Sequence, residues 1–246
     1  MLWTMSRLPI LCYHNVAEAP KEAPFKLLYV SPAKFERQLW TLGRLGLRGV
    51  CMSEGMARLH NGTSRGCVVL TFDDGYADTL TTAAPLMKQY GVRATCYVVS
   101  GAIGTYNRWD ADYVRERKPL MSREQLDQWL ATGMEVGSHS VSHPRLHELP
   151  QDLAQHEIAE SRAALRNLLG VPIGHFAYPF GAFTADTVAW VRRAGYASAV
   201  TVLPGIARAS DDRLRLPRIL VKGEHGLWKF LLHVAGPYER LRRRTP

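Results

Sequence analysis

Short apolar runs alternate with longer amphipathic segments along most of the chain, and this alternation constrains the fold more than any other feature. Eight apolar runs have the length of a strand and lie at residues 9–13, 46–51, 67–72, 94–99, 134–138, 175–179, 196–201 and 218–222. Repeated strand–helix units favour a parallel sheet with right-handed crossovers. Because no composition break divides the chain, we expect one α/β domain of the barrel type over residues 1–246.

Several predicted helices carry start and stop signals. Ser31 followed by Pro32 predicts a helix start, and Ser122 with Gln125 has the spacing of a capping box. Gly170 predicts the end of a long helix. In α/β barrels the functional residues lie in loops after the C-terminal ends of the strands. Polar residues that directly follow a predicted strand are therefore the candidates for a site.

Two adjacent carboxylates, Asp73 and Asp74, follow the apolar run at residues 67–72. Adjacent like charges at the end of a buried strand repel each other and are costly to desolvate, so a positive group is expected beside them. His139 and His143 follow a later strand, and their spacing places both rings on one side of a helical turn. Two imidazoles and one carboxylate are typical of an open catalytic zinc site, which predicts hydrolysis of an amide or ester.

Three segments resemble the first three motifs of the polysaccharide deacetylases, the NodB-homology or carbohydrate esterase family 4 enzymes. They are TFDDG at residues 71–75, HSVSH at 139–143 and YPFG at 178–181. The resemblance implies a distorted (β/α) barrel with mostly parallel strands. It also implies a hydrolase that removes N-acetyl groups, and sometimes formyl or O-acetyl groups, from sugars. The implied cofactor is a divalent metal, Zn²⁺ first, with Co²⁺, Ni²⁺ or Mn²⁺ as alternatives.

The resemblance also implies roles for the carboxylates and the imidazoles. Asp73 is the implied general base, and the implied metal ligands are Asp74, His139 and His143. Many members carry an arginine just before the proline of the third motif, where it braces the catalytic aspartate. Here Phe176 stands in that region. Arg218, in a later strand, is a candidate for the bracing role, and a simple salt bridge at the strand start is the alternative.

The third motif and one loop supply the implied substrate contacts. The backbone N–H of Tyr178 is implied as the donor to the oxyanion, while Pro179 and Gly181 shape the wall of the groove. Phe180 and Gly181 also fit a merely structural turn. The loop at residues 100–113 carries three aromatic residues, Tyr106, Trp109 and Tyr113. Exposed aromatic rings near a barrel mouth often stack on sugars, but Trp109 packing against the protein is an equal alternative.

The family requires a general acid, usually a histidine after an apolar strand. His14, in the segment LCYHNV, directly follows the first predicted strand. This segment resembles circularly permuted members of the family that carry a YH motif near the start of the domain. His233 is the alternative, although its surroundings predict an apolar helix face. The other histidines are expected to be surface residues or supports of a site: His60, His147, His156, His175 and His225.

The four cysteines fall in apolar, strand-like runs in the first half of the chain: Cys12, Cys51, Cys67 and Cys96. No pair has the spacing of a CxxC motif or of a zinc knuckle. We therefore expect buried, reduced thiols that pack as small apolar groups.

The chain is basic, with a formal net charge of +9 and a pI near 9.6, which favours anionic partners. Residues 226–246 combine an apolar helix face with an arginine cluster, and the face comprises Leu227, Trp228, Phe230, Leu231 and Val234. We expect either a frayed tail or peripheral contact with an anionic membrane. A saccharide substrate is expected and nucleic acid is not. No signal peptide is visible, so a cytoplasmic protein or one on the inner membrane face is expected.

Two other functions stay open at this point. One is a metal-dependent amidohydrolase that acts on a non-sugar or cyclic amide. The other is a glycan-binding protein that has lost catalysis. Loss of Asp73 or of a metal ligand would indicate the second function, and all of these residues are present.

Overall fold

The computed structural model describes residues 7–21, 23, 25–110 and 117–234 of the chain. The strands in these ranges are β1 (Arg7–Leu8), β2 (Ile10–Tyr13), β3 (Arg48–Val50), β4 (Cys67–Phe72), β5 (Ala94–Val98), β6 (Glu135–Ser138), β7 (His175–Ala177), β8 (Ser198–Pro204), β9 (Ala207–Arg208) and β10 (Leu216–Leu220). The α-helices are α1 (Pro32–Arg44), α2 (Met52–His60), α3 (Ala84–Gln89), α4 (Arg123–Ala131), α5 (Gln151–Leu169), α6 (Ala185–Arg193) and α7 (Leu227–Val234). Helices follow most of the strands, as the alternation of the sequence predicts.

Seven parallel strands close into a barrel. Their order is β2-β10-β8-β7-β6-β5-β4, and the ring closes where β2 pairs with β4. This pairing runs from Ile10 opposite Val69 to Tyr13 opposite Phe72. The strand β3 lies beside the first half of β4, and β1 pairs with β9 in a separate antiparallel sheet. The α/β barrel with mostly parallel strands is therefore confirmed.

The eight predicted strands correspond to β2 through β8 and β10. The helix signals also act as predicted, because the Ser31 hydroxyl accepts a hydrogen bond from the backbone N–H of Lys34. Ser122 and Gln125 form the reciprocal bonds of a capping box, and Gly170 ends α5 with a φ of 66°. These signals are local, so the sequence alone was sufficient to find them.

The apolar residues of helix α7 do not all lie on one face, although the sequence predicted that they would. Phe230 and Val234 are buried, whereas Trp228 points outward with 80% of its surface exposed. The predicted apolar residues therefore do not share one face. The arginine-rich residues 235–246 lie outside the described residues, so the predicted membrane contact of the tail stays a prediction. No helix in the described ranges is both long enough and apolar enough to span a membrane.

A polar cluster around Glu135 lies where several strands begin. The Glu135 carboxylate accepts hydrogen bonds from the hydroxyl and the backbone N–H of Ser53 and, at 2.6 Å, from the Thr95 hydroxyl. His175 lies 3.5 Å from this carboxylate and 2.8 Å from the Ser198 hydroxyl. Burial acts to raise the pKa of Glu135, but its contacts with His175, Ser53 and Thr95 outweigh burial and lower the pKa to about 2. The ionised carboxylate therefore stabilises the fold.

The substitution Glu135→Gln is expected to destabilise the protein by up to about 3 kcal/mol at neutral pH, because the pKa of Glu135 lies well below its ordinary 4.5. A carboxylate with a lowered pKa contributes stability above its unfolded pKa. That contribution is lost as the pH falls from about 4.5 toward about 2. Denaturant unfolding of both proteins across this range measures the difference, which should shrink on acidification. The matched change Glu148→Gln, at an exposed carboxylate, should shift stability by less than about 0.5 kcal/mol.

Candidate active site

The barrel brings polar side chains from several strands to the edge formed by their C-terminal ends. Asp73 and Asp74 follow β4, His139 follows β6, and His14 follows β2. Arg218 reaches the same place from β10. These are the positions in which α/β barrels hold their functional groups.

Asp73 and Arg218 form a buried, two-pronged ion pair. The guanidinium donates to Oδ1 of Asp73 at 2.7 Å and to Oδ2 at 2.6 Å. Nη1 also donates to the Thr71 hydroxyl at 3.0 Å, and Nε donates to the Thr201 carbonyl at 2.9 Å. Burial acts to raise the pKa of Asp73, but the charge and hydrogen bonds of Arg218 outweigh it and hold the pKa well below its usual range. Arg218 is thus a positive group beside the carboxylates, and it braces Asp73.

Asp74, His139 and His143 form a second buried group. Oδ1 of Asp74 lies 3.5 Å from Nε2 of His139 and 3.4 Å from Nε2 of His143. One potential ligand atom of each residue lies within 4.8 Å of the other two. Asp74 and His143 have φ values of 73° and 64°, a conformation that costs about 1–3 kcal/mol in residues other than glycine. The fold therefore imposes backbone strain to bring these three side chains together.

The hydrogen bonds of the histidines fit a cation at this group. Nδ1 of His139 lies 2.7 Å from the Ala177 carbonyl, which only accepts, so Nδ1 carries a proton. In the neutral ring Nε2 then presents a lone pair toward the Asp74 carboxylate, and a proton or a metal ion between these two acceptors relieves their repulsion. A backbone carbonyl that orients the ring in this way is typical of metal-binding histidines. The donor set therefore fits a divalent metal.

The structure places His14 beside Asp73. One ring nitrogen of His14, the Cys12 sulfur and one carboxylate oxygen of Asp73 lie within 4.8 Å of one another. The alternative residue, His233, is buried on α7, where its ring lies 5.5 Å from that of His225. Three histidines are exposed, as expected: His60, His147 and His156. His175 and His225 are buried instead, and His175 supports the polar cluster around Glu135.

The backbone N–H of Tyr178 already donates a hydrogen bond within the barrel. It donates to the Val200 carbonyl at 3.2 Å, as part of the pairing between β7 and β8. The implied role of this N–H as an oxyanion donor is therefore wrong. Pro179 has no N–H, so the next backbone donor along the chain belongs to Phe180.

Phe180 and Gly181 form a tight turn that also borders the site. The exposed Phe180 ring lies 4.6 Å from the ring of His143. Gly181 has a φ of 67°, and a Cβ atom there would come within 2.1 Å of the Val202 side chain. The turn thus requires glycine, and it carries Phe180 to the wall of the site. Buried Pro179 begins the turn.

Trp109 also contacts His143. Its ring stacks on the imidazole at a centroid distance of 4.7 Å and an angle of 30°. The imidazole therefore contacts both Trp109 and Phe180, which sequence spacing did not reveal. Trp109 packs against the protein, which is one of its two predicted roles. Tyr106 contacts the guanidinium of Arg117, and Tyr113 lies outside the described residues.

We expect Trp109→Ala to weaken the affinity of this group for a divalent metal by about tenfold, because the indole ring holds the His143 imidazole in place. Competition with a chromogenic chelator measures the zinc affinity directly. Trp228→Ala removes an exposed indole on α7 and serves as the control. Equal zinc affinity in the two variants would show that the stacked ring does not position His143.

Known proteins resemble the chain in sequence and in fold. A family model described as polysaccharide deacetylase matches residues 60–199. YxkH of Bacillus subtilis (strain 168), named as a candidate polysaccharide deacetylase, is 28% identical over 218 residues, which are 88% of this chain and 72% of that protein. The poly-beta-1,6-N-acetyl-D-glucosamine N-deacetylase of Staphylococcus epidermidis is 25% identical over 64% of this chain. The matched region spans about half of that enzyme, 55% of its length.

Among the solved structures that match most of the chain is a streptococcal deacetylase. The Streptococcus pyogenes deacetylase PplD in complex with acetate superimposes with a TM-score of 0.82 and 27% sequence identity. The match covers 94% of this chain and 99% of that one. The similarity therefore extends over the whole barrel and includes the strands on both sides of the site.

Proposed function

The chain belongs to the polysaccharide deacetylase family, and we propose on that premise that it removes the N-acetyl group of a saccharide with the help of a divalent metal. The observation that carries this proposal is the arrangement of the two aspartates. Asp73 is held ionised by Arg218, and the adjacent Asp74 faces two imidazoles. A base beside a metal-ligand group is the arrangement that metal-assisted hydrolysis of an amide requires.

Asp74, His139 and His143 would hold the metal. Zn²⁺ is the preferred ion for one carboxylate and two imidazoles, and Co²⁺, Ni²⁺ and Mn²⁺ are alternatives. Bound there, the ion supplies Lewis-acid polarisation of the acyl carbonyl and lowers the pKa of water. The Ala177 carbonyl keeps the proton of His139 on Nδ1 and so leaves Nε2 available as a ligand.

Asp73 and His14 move the protons of the reaction. The Asp73 carboxylate accepts a proton from the attacking water, while Arg218 fixes its orientation through two bonds. A ring nitrogen of His14 lies within 4.8 Å of an Asp73 oxygen, from where it donates a proton to the departing amine. This position after β2 is also our reason for placing the chain in the circularly permuted branch. The backbone N–H of Phe180 takes the oxyanion role that Tyr178 cannot fill.

A screen for amine release tests the proposal. The S. epidermidis relative is named for β-1,6-linked N-acetylglucosamine, so oligomers of this sugar are the first substrates to try. The purified chain should release amine from them with added zinc and lose that activity after chelation. N-formylated sugars and cyclic imides complete the screen. Activity on the imides alone would assign the chain to the other amidohydrolases, and zinc that stays substoichiometric after reconstitution, without any turnover, would indicate a glycan-binding protein.

A further inference from the structure

We propose that Cys12, His14 and Asp73 form a second metal site, which zinc occupies only in excess and which then blocks catalysis. The three potential ligand atoms lie within 4.8 Å of one another, and Cys12 Sγ is 3.5 Å from Oδ2 of Asp73. None of these residues belongs to the group formed by Asp74, His139 and His143. The site therefore goes beyond the proposed function, which needs only one metal.

The closure of the barrel creates this cluster. Cys12 lies on β2 opposite Thr71 of β4, and the Asp73 backbone N–H donates to the Tyr13 carbonyl at 3.0 Å. These bonds hold the end of β4 against the end of β2. The thiol on β2, the imidazole directly after β2 and the carboxylate directly after β4 therefore converge, although 61 positions separate Cys12 from Asp73.

The three groups are suitable zinc ligands. Thiolate sulfur, imidazole nitrogen and carboxylate oxygen are the usual donors to Zn²⁺, and three of them leave the fourth tetrahedral position open. Nδ1 of His14 is buried and has no hydrogen-bond partner among the described residues. A buried ring nitrogen without a partner is costly, and a metal bond would satisfy it. His14 thus has one ring nitrogen in the cluster and an Nδ1 atom without a hydrogen-bond partner among the described residues.

The second site is weaker than the first for two physical reasons. Arg218 already balances the charge of Asp73 through two short hydrogen bonds, so little net negative charge remains to attract a cation. The Cys12 thiol also donates a hydrogen bond to Oδ2 of Asp73 at 3.5 Å, so a metal must displace this proton before it can bind the sulfur. On binding, the thiol proton leaves to solvent as the metal–sulfur bond forms, with no change of oxidation state. The second ion therefore binds only when metal exceeds one equivalent.

Occupancy of this site would remove two groups from catalysis. An ion bound to Asp73 occupies the carboxylate lone pair that is proposed to accept a proton. An ion bound to His14 occupies a ring nitrogen and so keeps it from carrying a proton to the amine. General acid–base catalysis contributes about 100-fold or more to such reactions, so activity should fall by at least about that factor. This consequence rests on the proposed function, whereas the binding itself does not.

Cobalt titration of the full-length, metal-free protein tests the binding. The first site contains no sulfur, so a sulfur-to-cobalt charge-transfer band in the near ultraviolet reports only the second site. We expect the band to be absent at the first equivalent of Co²⁺ and to grow with the second. In Cys12→Ala the band and the second equivalent should both be lost, while the first equivalent still binds. Cys12→Ser, which keeps the side-chain size, should also lack the band and guards against a folding defect in the alanine variant.

The matched control is Cys96→Ala, which removes another buried thiol, from strand β5 on the far side of β4. It should keep both equivalents and the band. Absence of the band in the wild-type protein at excess cobalt would overturn the proposal, and so would its persistence in Cys12→Ala.

Amine release provides a separate measurement of the consequence. The ratio of activity at large zinc excess to activity at one equivalent should be about 100-fold lower in the wild type than in Cys12→Ala. Equal ratios together with a normal cobalt band would overturn the inhibitory role. No activity under any condition, again with a normal band, would reject the proposed function but retain the second metal site.

Discussion

Replacing Asp73 with asparagine is expected to abolish turnover while metal binding survives. The amide has nearly the shape of the carboxylate but cannot accept the proton of an attacking water, and loss of such a base costs about 10²–10⁴-fold in rate. The three proposed metal ligands are unchanged by the substitution. Amine-release kinetics and zinc content of the same preparation measure the two effects. Retained activity would reject Asp73 as the base.

The same substitution should also destabilise the protein, which provides a second readout. Arg218 is 1% exposed, and it would lose the negative charge that both of its terminal nitrogens contact. Leaving one partner of a buried ion pair unpaired costs about 3–5 kcal/mol. Asp127→Asn is the control, since that carboxylate is exposed and pairs with Arg123 at the surface. Asp127→Asn should keep normal activity and stability, and an unchanged melting temperature in Asp73→Asn would contradict the structural role of the ion pair.

Replacing His139 with alanine is expected to remove both metal binding and activity. The imidazole is 2% exposed, faces Asp74 through Nε2 and is oriented by the Ala177 carbonyl through Nδ1. Without it only Asp74 and His143 remain, and two protein ligands are fewer than the three of a typical catalytic zinc site. Isothermal titration with Zn²⁺ measures the loss. His147→Ala, at an exposed histidine, should bind zinc normally.

The two substitutions distinguish the base from the ligand. Asp73→Asn separates activity from metal binding, whereas His139→Ala loses both together. Stoichiometric zinc in His139→Ala would show that the metal lies elsewhere. Loss of zinc in Asp73→Asn would instead make Asp73 a ligand and require a different base.

Most of the fold could be predicted because its signals are local. Runs such as residues 67–72 are buried strands in their own right, and capping residues such as Ser122 begin a helix wherever it packs. The strands β1 and β9 escaped prediction because each has only two residues, which is too short for a periodic pattern. The closure of the barrel between β2 and β4 also escaped, because register between distant segments depends on tertiary packing.

The residues of the candidate site likewise include some that the sequence could predict and some that it could not. His139 and His143 could be paired from their spacing, and Asp73 and Asp74 from their position after a strand. The role implied for the Tyr178 N–H is wrong because the bond between β7 and β8 uses that donor. A strand partner of this kind cannot be read from one segment alone.

The sequence by itself determined the strands, the helix ends and the inventory of carboxylates and imidazoles, because each depends on residues close together in the chain. Only the tertiary structure decided that Arg218 holds Asp73, from which it is 145 positions away. The tertiary structure likewise placed His14, rather than His233, beside that carboxylate and brought the Cys12 thiol into contact with it. The physical reason is the closed barrel, since contacts across its mouth form only when β2, β4 and β10 have become neighbours.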